Sequence, residues 1–274
     1  MIVAIALLSS LLGLALILLA VYLLVLVRPT RHVKNPSPAL LCDYAHRGLH
    51  GNGVPENSCA AFELACQEGF GIELDVQLSS DGVVMVFHDA SLKRMTGVEK
   101  NLSELTAEQL QVLSLAGTDQ TIPTFEQVLS LVGGRVPILV ELKGETTNTA
   151  LCEKVASLLS AYSGEYCLES FNPLLIGTMK KFLPSAFRGL LYTNVCRDKK
   201  KSSALNLALT AMALNVLAKP DFIAYNQADR ESFPVRLATK FYKTPKFVWT
   251  VRTADGVAKA HKLGEYPIFE QEMR

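Results

Sequence analysis

The chain has almost no net charge and no closely paired cysteines. Across its 274 residues, 27 lysines and arginines stand against 26 acidic residues, which gives a formal net charge of +1. This balance argues against a nucleic-acid binder held by overall charge, although it allows local basic patches. The six cysteines stand singly, with no CxxC pair. Zinc-finger and thioredoxin-like sites therefore lack support, and we expect buried thiols in a reducing compartment rather than disulfides.

The start of the chain lacks charge altogether. No residue from Ile2 to Val27 is charged, and only Ser9, Ser10 and Tyr22 carry polar side chains there. A helix needs about 20 residues to cross the ~30 Å hydrocarbon core of a bilayer, so residues 1–27 are expected to form a transmembrane anchor. A cleaved signal peptide is the alternative, but it has a shorter apolar core with basic residues before it.

The basic residues follow this segment, and none precede it. They are Arg28, Arg31 and Lys34. Because cytoplasmic flanks carry the excess of lysine and arginine, this asymmetry predicts that the domain formed by residues 41–274 lies in the cytoplasm. Residues 28–40, which include Pro36 and Pro38, are expected to form a short stiff linker that separates the anchor from this domain.

After the linker, histidines and charged residues fall where apolar runs end. The run ALLCDYAHRG stops at His46 and Arg47, and GVVMVFHD stops at His88. Between them, GIELDVQL alternates like a strand, which places Glu73 and Asp75 on one face. Two neighbouring carboxylates on an apolar strand are costly unless a cation lies between them. A helical segment, CAAFELACQEG, lies between ALLCDYAHRG and GIELDVQL. This strand–helix–strand order indicates a parallel sheet.

Several of these blocks together resemble a known family. HRG, PENS, IELDV, DGVVMVFHD and the later ELK are similar, in that order, to the signature blocks of the glycerophosphodiester phosphodiesterases. The resemblance extends from about Asp43 to Glu270. It implies a TIM-type (β/α)8 barrel after the transmembrane helix, a divalent metal, and hydrolysis of glycerophosphodiesters to sn-glycerol 3-phosphate and an alcohol. The length suits such a barrel, and eight strands can be counted if GVVMVFHD is a hairpin-like extension of the second.

Three carboxylates are the candidate metal ligands. Glu73, Asp75 and Glu141 offer hard oxygen atoms, which suit Mg²⁺, Ca²⁺ or Mn²⁺ better than a soft-ligand zinc site. The family uses the matching positions in this way. Arg47 and Lys143 are then expected to bind the phosphate, since both match phosphate oxygens. The alternative is a metal-free network in which these two cations pair with the acids.

The histidines are the candidate acid and base. His46 and His88 carry imidazoles, which titrate near neutrality without heavy perturbation. The resemblance implies that one helps the glycerol 2-hydroxyl attack phosphorus, giving a cyclic phosphodiester, and that the other protonates the leaving alcohol; the sequence leaves their order open. Glu56 is expected to orient part of the substrate site, and Trp249 to line the pocket, although loop structure and barrel packing are the alternatives. His50 is interpreted as a solvated loop residue.

Two stretches depart from the common family pattern. The end of the chain, YPIFEQEMR, lacks the usual Thr-Asp-x-Pro run and leaves no room for a full last helix. Either another segment such as the linker closes the barrel, or the chain belongs to a subgroup with a shorter tail. Lys199–Lys201 precede an unusually apolar helical segment, which either packs as a barrel helix or lies on the bilayer surface.

The sequence therefore supports three hypotheses. The leading one is an anchored glycerophosphodiester phosphodiesterase with a small-molecule substrate and no nucleic-acid or obligate protein partner. A lysophospholipase D-like enzyme and a non-catalytic phosphodiester-binding barrel are the alternatives.

Overall fold

The computed structural model of the chain describes residues 2–29, 33, 35–144 and 149–270. Eight parallel strands close into a barrel, as the resemblance implied. A ninth, β3 (Val84–Val86), pairs antiparallel with β2 (Gly71–Leu78), which confirms the hairpin-like extension. The remaining strands are β1 (Tyr44–Ala45), β4 (Ile138–Leu142), β5 (Tyr166–Ser170), β6 (Phe187–Tyr192), β7 (Phe222–Asn226), β8 (Lys246–Val251) and β9 (Tyr266–Phe269).

The last strand itself closes the barrel. β9 pairs in parallel with β1, with Tyr44 opposite Ile268 and Ala45 opposite Phe269. The hypothesis that another segment such as the linker closes the barrel is therefore wrong. The linker instead forms a 3₁₀ turn at Pro38–Leu40, whose Leu40 packs among the residues inside the barrel.

Beyond the first, the helices lie between successive strands, as in a (β/α)8 barrel. They are α1 (Ile2–Val21), α2 (Cys59–Glu68), α3 (Lys93–Thr96), α4 (Ala107–Gln111), α5 (Phe125–Val132), α6 (Thr149–Ala161), α7 (Pro173–Phe182), α8 (Val195–Asp198), α9 (Ala204–Thr210), α10 (Asn215–Ala218), α11 (Phe233–Arg236) and α12 (Ala254–Lys262). A π-helical turn, Leu237–Phe241, extends α11. The apolar segment after Lys199–Lys201 forms α9 and α10, two short helices rather than one long one.

Two apolar layers hold the barrel together. On β2, Leu74 points outward and packs with residues of the surrounding helices, such as Phe62. The interior is filled by a separate cluster dominated by aromatic rings, with ring centroids 4.8 Å apart for Phe187 and Phe222 and 4.5 Å apart for Phe222 and Phe247. Gly189 makes room for this packing, because a Cβ there would lie 2.0 Å from the Phe222 ring.

The apolar N-terminal helix consists of α1 and the π-helical turn Tyr22–Leu26 that continues it. This helix stands outside the barrel, but its end contacts the barrel. Val3–Leu26 has a mean hydropathy of 2.7 and is long and apolar enough to cross a bilayer, a test that signal sequences also pass. The linker was expected to separate this helix from the barrel, yet Asn215 Nδ2 donates to the carbonyl of Val27 at 2.7 Å. Arg31 and Lys34, used above to predict orientation, lie outside the described residues.

The cysteines are free thiols. All six fall within the described part of the chain, and none forms a disulfide. Cys152 and Cys167 are buried as expected, whereas the other four are partly exposed.

Candidate active site

The loop after β1 is fixed by backbone contacts. The backbone N–H of His46 donates to the carbonyl of Phe269 at 2.8 Å, so His46 continues the pairing of β1 with β9. Gly48 has φ +80°, and a Cβ there would lie 2.8 Å from the Cβ of Ala61 in α2. The glycine of the HRG block is therefore required both for its backbone conformation and for close contact with α2.

The three predicted metal ligands lie together on neighbouring strands. Glu73 and Asp75 lie on β2, and Glu141 on β4 is directly opposite Asp75 in the pairing of the two strands. All three are buried, and one oxygen from each lies within 4.8 Å of the others. Asn57 Nδ2 donates to Asp75 Oδ2 at 2.8 Å, which orients that carboxylate. Three oriented carboxylates are the hard-oxygen donor set that Mg²⁺, Ca²⁺ and Mn²⁺ prefer, so the residues fit such an ion.

Burial and mutual repulsion shape the protonation of this cluster. Burial, reinforced by Asp75 and Glu141, raises the pKa of Glu73 well above its usual range. Burial also raises the pKa of Glu141 to about 7, against the opposing charge of Lys143. Burial acts in the same direction on Asp75, but Lys143, His88 and Arg47 outweigh it and hold its pKa low. A divalent cation would favour the ionised form of all three acids, because it supplies the missing positive charge.

Arg47 and Lys143 flank the carboxylates. Lys143 Nζ lies 2.8 Å from Glu141 Oε1 and 3.0 Å from Asp75 Oδ1. The backbone N–H of Arg47 donates to Glu73 Oε2 at 2.9 Å, and its Nε lies 3.5 Å from Asp75 Oδ2. These ion pairs belong to the alternative metal-free network, and they equally place two cations beside the cavity where a phosphate would lie.

Glu56 lies behind the cavity rather than in its wall. Its carboxylate accepts from Arg47 Nη1 at 2.8 Å and from Arg94 Nη2 at 2.6 Å. Arg94 Nε in turn donates to Asp89 Oδ2 at 2.6 Å. Glu56 therefore joins Arg47 to the loop of His88, and it is not among the described residues that line the cavity.

A carboxylate lies within hydrogen-bond distance of Nδ1 in each predicted catalytic histidine. His46 Nδ1 lies 2.7 Å from Glu270 Oε1, and its Nε2 lies 3.9 Å from Glu73 Oε2. His88 Nδ1 lies 2.6 Å from Asp89 Oδ1. Burial lowers the pKa of both imidazoles, although Glu270 opposes the shift for His46 and Asp75 opposes it for His88. With Nδ1 donating to a carboxylate, Nε2 of each ring is available to exchange a proton with substrate.

These side chains surround one cavity at the carboxyl ends of the strands. Its volume is about 190 Å³, and its lining includes His46, Arg47, Glu73, His88, Glu141, Lys143 and Trp249. Trp249 Nε1 donates to the carbonyl of Ala224 at 3.0 Å, and its ring meets Phe171 edge-on at 5.5 Å. A larger cavity of about 310 Å³ lies at the opposite end of the barrel, where Glu165 is the only charged side chain among its described lining residues. The titratable groups thus concentrate in the smaller cavity.

Several residues of the site were not assigned from the sequence. Four of them lie in or beside the cavity: Asp89, Glu169, Phe171 and Glu270. In the sequence, only their positions at strand ends could have indicated that they belong to the site. Glu169 is buried with its Oε2 unpaired among the described residues, and burial raises its pKa well above the usual range. His50, interpreted above as solvated, is instead half-buried, with a ring nitrogen within 4.8 Å of ligand atoms of His46 and Glu270.

A family model now decides the classification. The model of the glycerophosphoryl diester phosphodiesterase family matches residues 46–272. The chain belongs to this family. A curated glycerophosphodiester phosphodiesterase from Caldanaerobacter subterraneus is 36% identical over 160 residues, which make up 54% of this chain and 65% of that protein. Human lysophospholipase D GDPD1 is 31% identical over 148 residues, or 49% of this chain and 46% of that protein. The chain thus spans less than two thirds of the length of these two family relatives.

Solved structures of the family share the fold. A phosphodiesterase from Oleispira antarctica, in complex with the product sn-glycerol 3-phosphate, is similar with a TM-score of 0.68 and 22% identity, covering 84% of this chain and 92% of that one. A glycerophosphodiester phosphodiesterase from Thermotoga maritima gives a TM-score of 0.61 and 24% identity over 84% and 94% of the two chains. These family structures support the barrel architecture.

Proposed function

We propose that this chain is a divalent-metal-dependent glycerophosphodiester phosphodiesterase that releases sn-glycerol 3-phosphate and an alcohol. One observation carries the proposal: two histidines, each with Nδ1 close to a carboxylate, share a cavity with buried carboxylates and with the cations of Arg47 and Lys143. Family membership supports the reaction class. A barrel that only bound phosphodiesters would not need two imidazoles oriented in this way.

The residues divide the chemistry between them. Nε2 of one histidine takes the proton of the glycerol 2-hydroxyl, whose oxygen attacks phosphorus, while Nε2 of the other gives a proton to the departing alcohol oxygen. The phosphorus–alcohol bond breaks and a cyclic phosphodiester remains, which water opens with the two proton transfers reversed. Arg47 and Lys143 bind the phosphoryl oxygens and stabilise their developing charge. A divalent cation held by Glu73, Asp75 and Glu141 would add positive charge at the same oxygens.

A lysophospholipid is the second candidate substrate. The sequence similarity to human lysophospholipase D GDPD1 favours it, as does the apolar edge of the cavity, where Phe171 is partly exposed beside Trp249. Both substrates present the same phosphodiester to the histidines. Only the lysophospholipid carries an acyl chain, and this chain would have to leave the cavity along the apolar edge.

The proposal also includes a membrane-anchored location. Val3–Leu26 is long and apolar enough to cross a bilayer, and the basic residue Arg28 follows it, which favours a single-pass anchor with the barrel in the cytoplasm. Retention in membranes after alkaline extraction tests the anchor. Protection of the barrel from protease added outside intact cells tests its cytoplasmic orientation. Release by alkali would contradict the anchor.

The reaction is tested with the full chain in detergent. Glycerophosphocholine and a lysophosphatidylcholine are each supplied with Mg²⁺, Ca²⁺ or Mn²⁺, and release of sn-glycerol 3-phosphate or of choline is followed with and without EDTA. We expect metal-dependent release that His46→Ala and Glu141→Gln abolish. His261→Ala is the matched control, because His261 is exposed and pairs with Asp43 at 2.8 Å away from the cavity. Release that neither EDTA nor His46→Ala reduces would refute the proposal.

A further inference from the structure

Large apolar side chains are exposed on two adjacent segments of the barrel surface. These segments follow β6 and β7 and carry half of the exposed large apolar residues that the structure describes beyond the N-terminal apolar helix. Their exposed fractions run from 47% to 68%. We call this surface the lateral face and define it by Leu205, Leu207, Leu217, Phe233 and Phe241. An apolar surface of this kind on a folded domain marks a site of interaction with a partner or a membrane.

The same two segments hold the end of the N-terminal apolar helix. Tyr22 Oη donates to the carbonyl of Ala211, just after α9, at 3.0 Å. Asn215 at the start of α10 donates to the carbonyl of Val27, and Tyr242, which follows Phe241, donates to the carbonyl of Leu23. The exposed apolar residues therefore lie on the elements that contact the helix where it meets the barrel.

Ion pairs and hydrogen bonds join the two segments into one surface. Arg197 in α8 forms a two-pronged pair with Asp229 after β7, at 2.5 Å from Nη1 to Oδ1 and 3.1 Å from Nη2 to Oδ2. The backbone N–H of Asn194 donates to the same carboxylate at 3.0 Å. Tyr192 at the end of β6 ties α9 in place through the carbonyl of Thr210 at 3.0 Å. The lateral face is thus held in a fixed position relative to the helix end.

We infer that the lateral face lies against the lipid bilayer that the N-terminal helix crosses. A helix that ends on these segments brings them to the membrane surface, where exposed leucine and phenylalanine side chains gain by entering the interface. Exposed lysines flank the face at Lys199–Lys201 and Lys240, where they meet anionic head groups. The inference rests on the anchor of the proposed function, and it makes the bilayer the occupant of this surface rather than a second copy or a partner protein.

Tryptophan substitution on the full chain tests the inference. Phe233→Trp and Phe241→Trp each keep an aromatic side chain at an exposed position. Val112→Trp is the matched control, because Val112, directly after α4, is 76% exposed. Each variant is reconstituted in vesicles of phosphatidylcholine and phosphatidylglycerol with brominated acyl chains, which quench tryptophan on contact. The wild type supplies the background, since Trp249 is the only native tryptophan.

We expect loss of tryptophan emission for Phe233→Trp and Phe241→Trp relative to unbrominated vesicles, and unchanged emission for Val112→Trp. Alkaline extraction of the same vesicles separates the two possible failures. A chain that stays in the membrane while neither phenylalanine variant loses more emission than Val112→Trp would overturn the lateral face alone, and would leave a protein partner as its occupant. A chain that alkali releases would overturn the anchor and the lateral face together, without bearing on the hydrolase activity.

Discussion

The contact between Glu270 and His46 gives the sharpest test of the site. Glu270 Oε1 lies 2.7 Å from His46 Nδ1, and the hydrogen bond to His46 lowers the pKa of Glu270 to about 2, so a carboxylate faces the ring at any working pH. Glu270→Gln keeps the shape of the side chain and removes its charge. A hydrogen bond to a charged group contributes about 1.5–3 kcal/mol, which corresponds to a loss of about 10- to 160-fold in turnover.

The pH profile shows whether this loss acts through His46. The carboxylate of Glu270 opposes the burial that lowers the pKa of His46. Removing its charge therefore lowers that pKa further, and the limb of the pH–rate profile that His46 governs moves to lower pH. The assay is release of sn-glycerol 3-phosphate at saturating metal and substrate between pH 5 and 9.

Arg252 provides the control. Arg252 Nε also pairs with Glu270, at 2.7 Å to Oε2, so Glu270→Gln disturbs this contact as well. Arg252→Gln removes only that contact and leaves Glu270 on His46, and we expect it to keep both limbs of the profile. If Glu270→Gln left turnover and pH profile as in the wild type, or if Arg252→Gln moved the same limb equally, the assigned role of Glu270 would be wrong.

Further predictions concern stability. Mg²⁺ or Ca²⁺ is expected to raise the thermal unfolding temperature of the wild type but not of Glu73→Gln, because a cation that binds only the folded carboxylate cluster stabilises it; an equal rise in both would contradict the metal site. Gly189→Ala should lower the free energy of unfolding by about 1–3 kcal/mol, since its Cβ would overlap Phe222. Ser58→Ala should cost about 1 kcal/mol through loss of the N-cap of α2, measured by urea unfolding.

The features of the site that could be predicted from the sequence depend on local periodicity or on the pairing of parallel strands. Alternation placed Glu73 and Asp75 on one face of β2, and the parallel arrangement brought Glu141 beside Asp75. Ser58 caps α2 through a local rule of the same kind, with its hydroxyl accepting from the backbone N–H of Ala61. These features follow from rules that operate within an element or between neighbouring strands.

The unpredicted features depend on contacts between distant parts of the chain. Glu270 reaches His46 only because β9 closes the barrel against β1, and the two residues are 224 positions apart. The contacts of Tyr22 with Ala211 likewise follow from the packed fold and not from the linker composition. Glu56 was expected to orient part of the substrate site, but its link through Arg94 to Asp89 is a contact that no local pattern indicates.

The second histidine allows the acid and the base to be told apart. Asp89 Oδ1 lies within hydrogen-bond distance of His88 Nδ1, as Glu270 does of His46 Nδ1. Because this contact raises the pKa of His88, Asp89→Asn should lower that pKa. A base must be neutral, so its pKa sets the acidic limb; an acid must be protonated, so its pKa sets the alkaline limb. Glu270→Gln and Asp89→Asn should therefore move opposite limbs of the profile, each to lower pH, and the limb that moves identifies each role. Movement of the same limb by both variants would exclude an acid–base pair formed by His46 and His88.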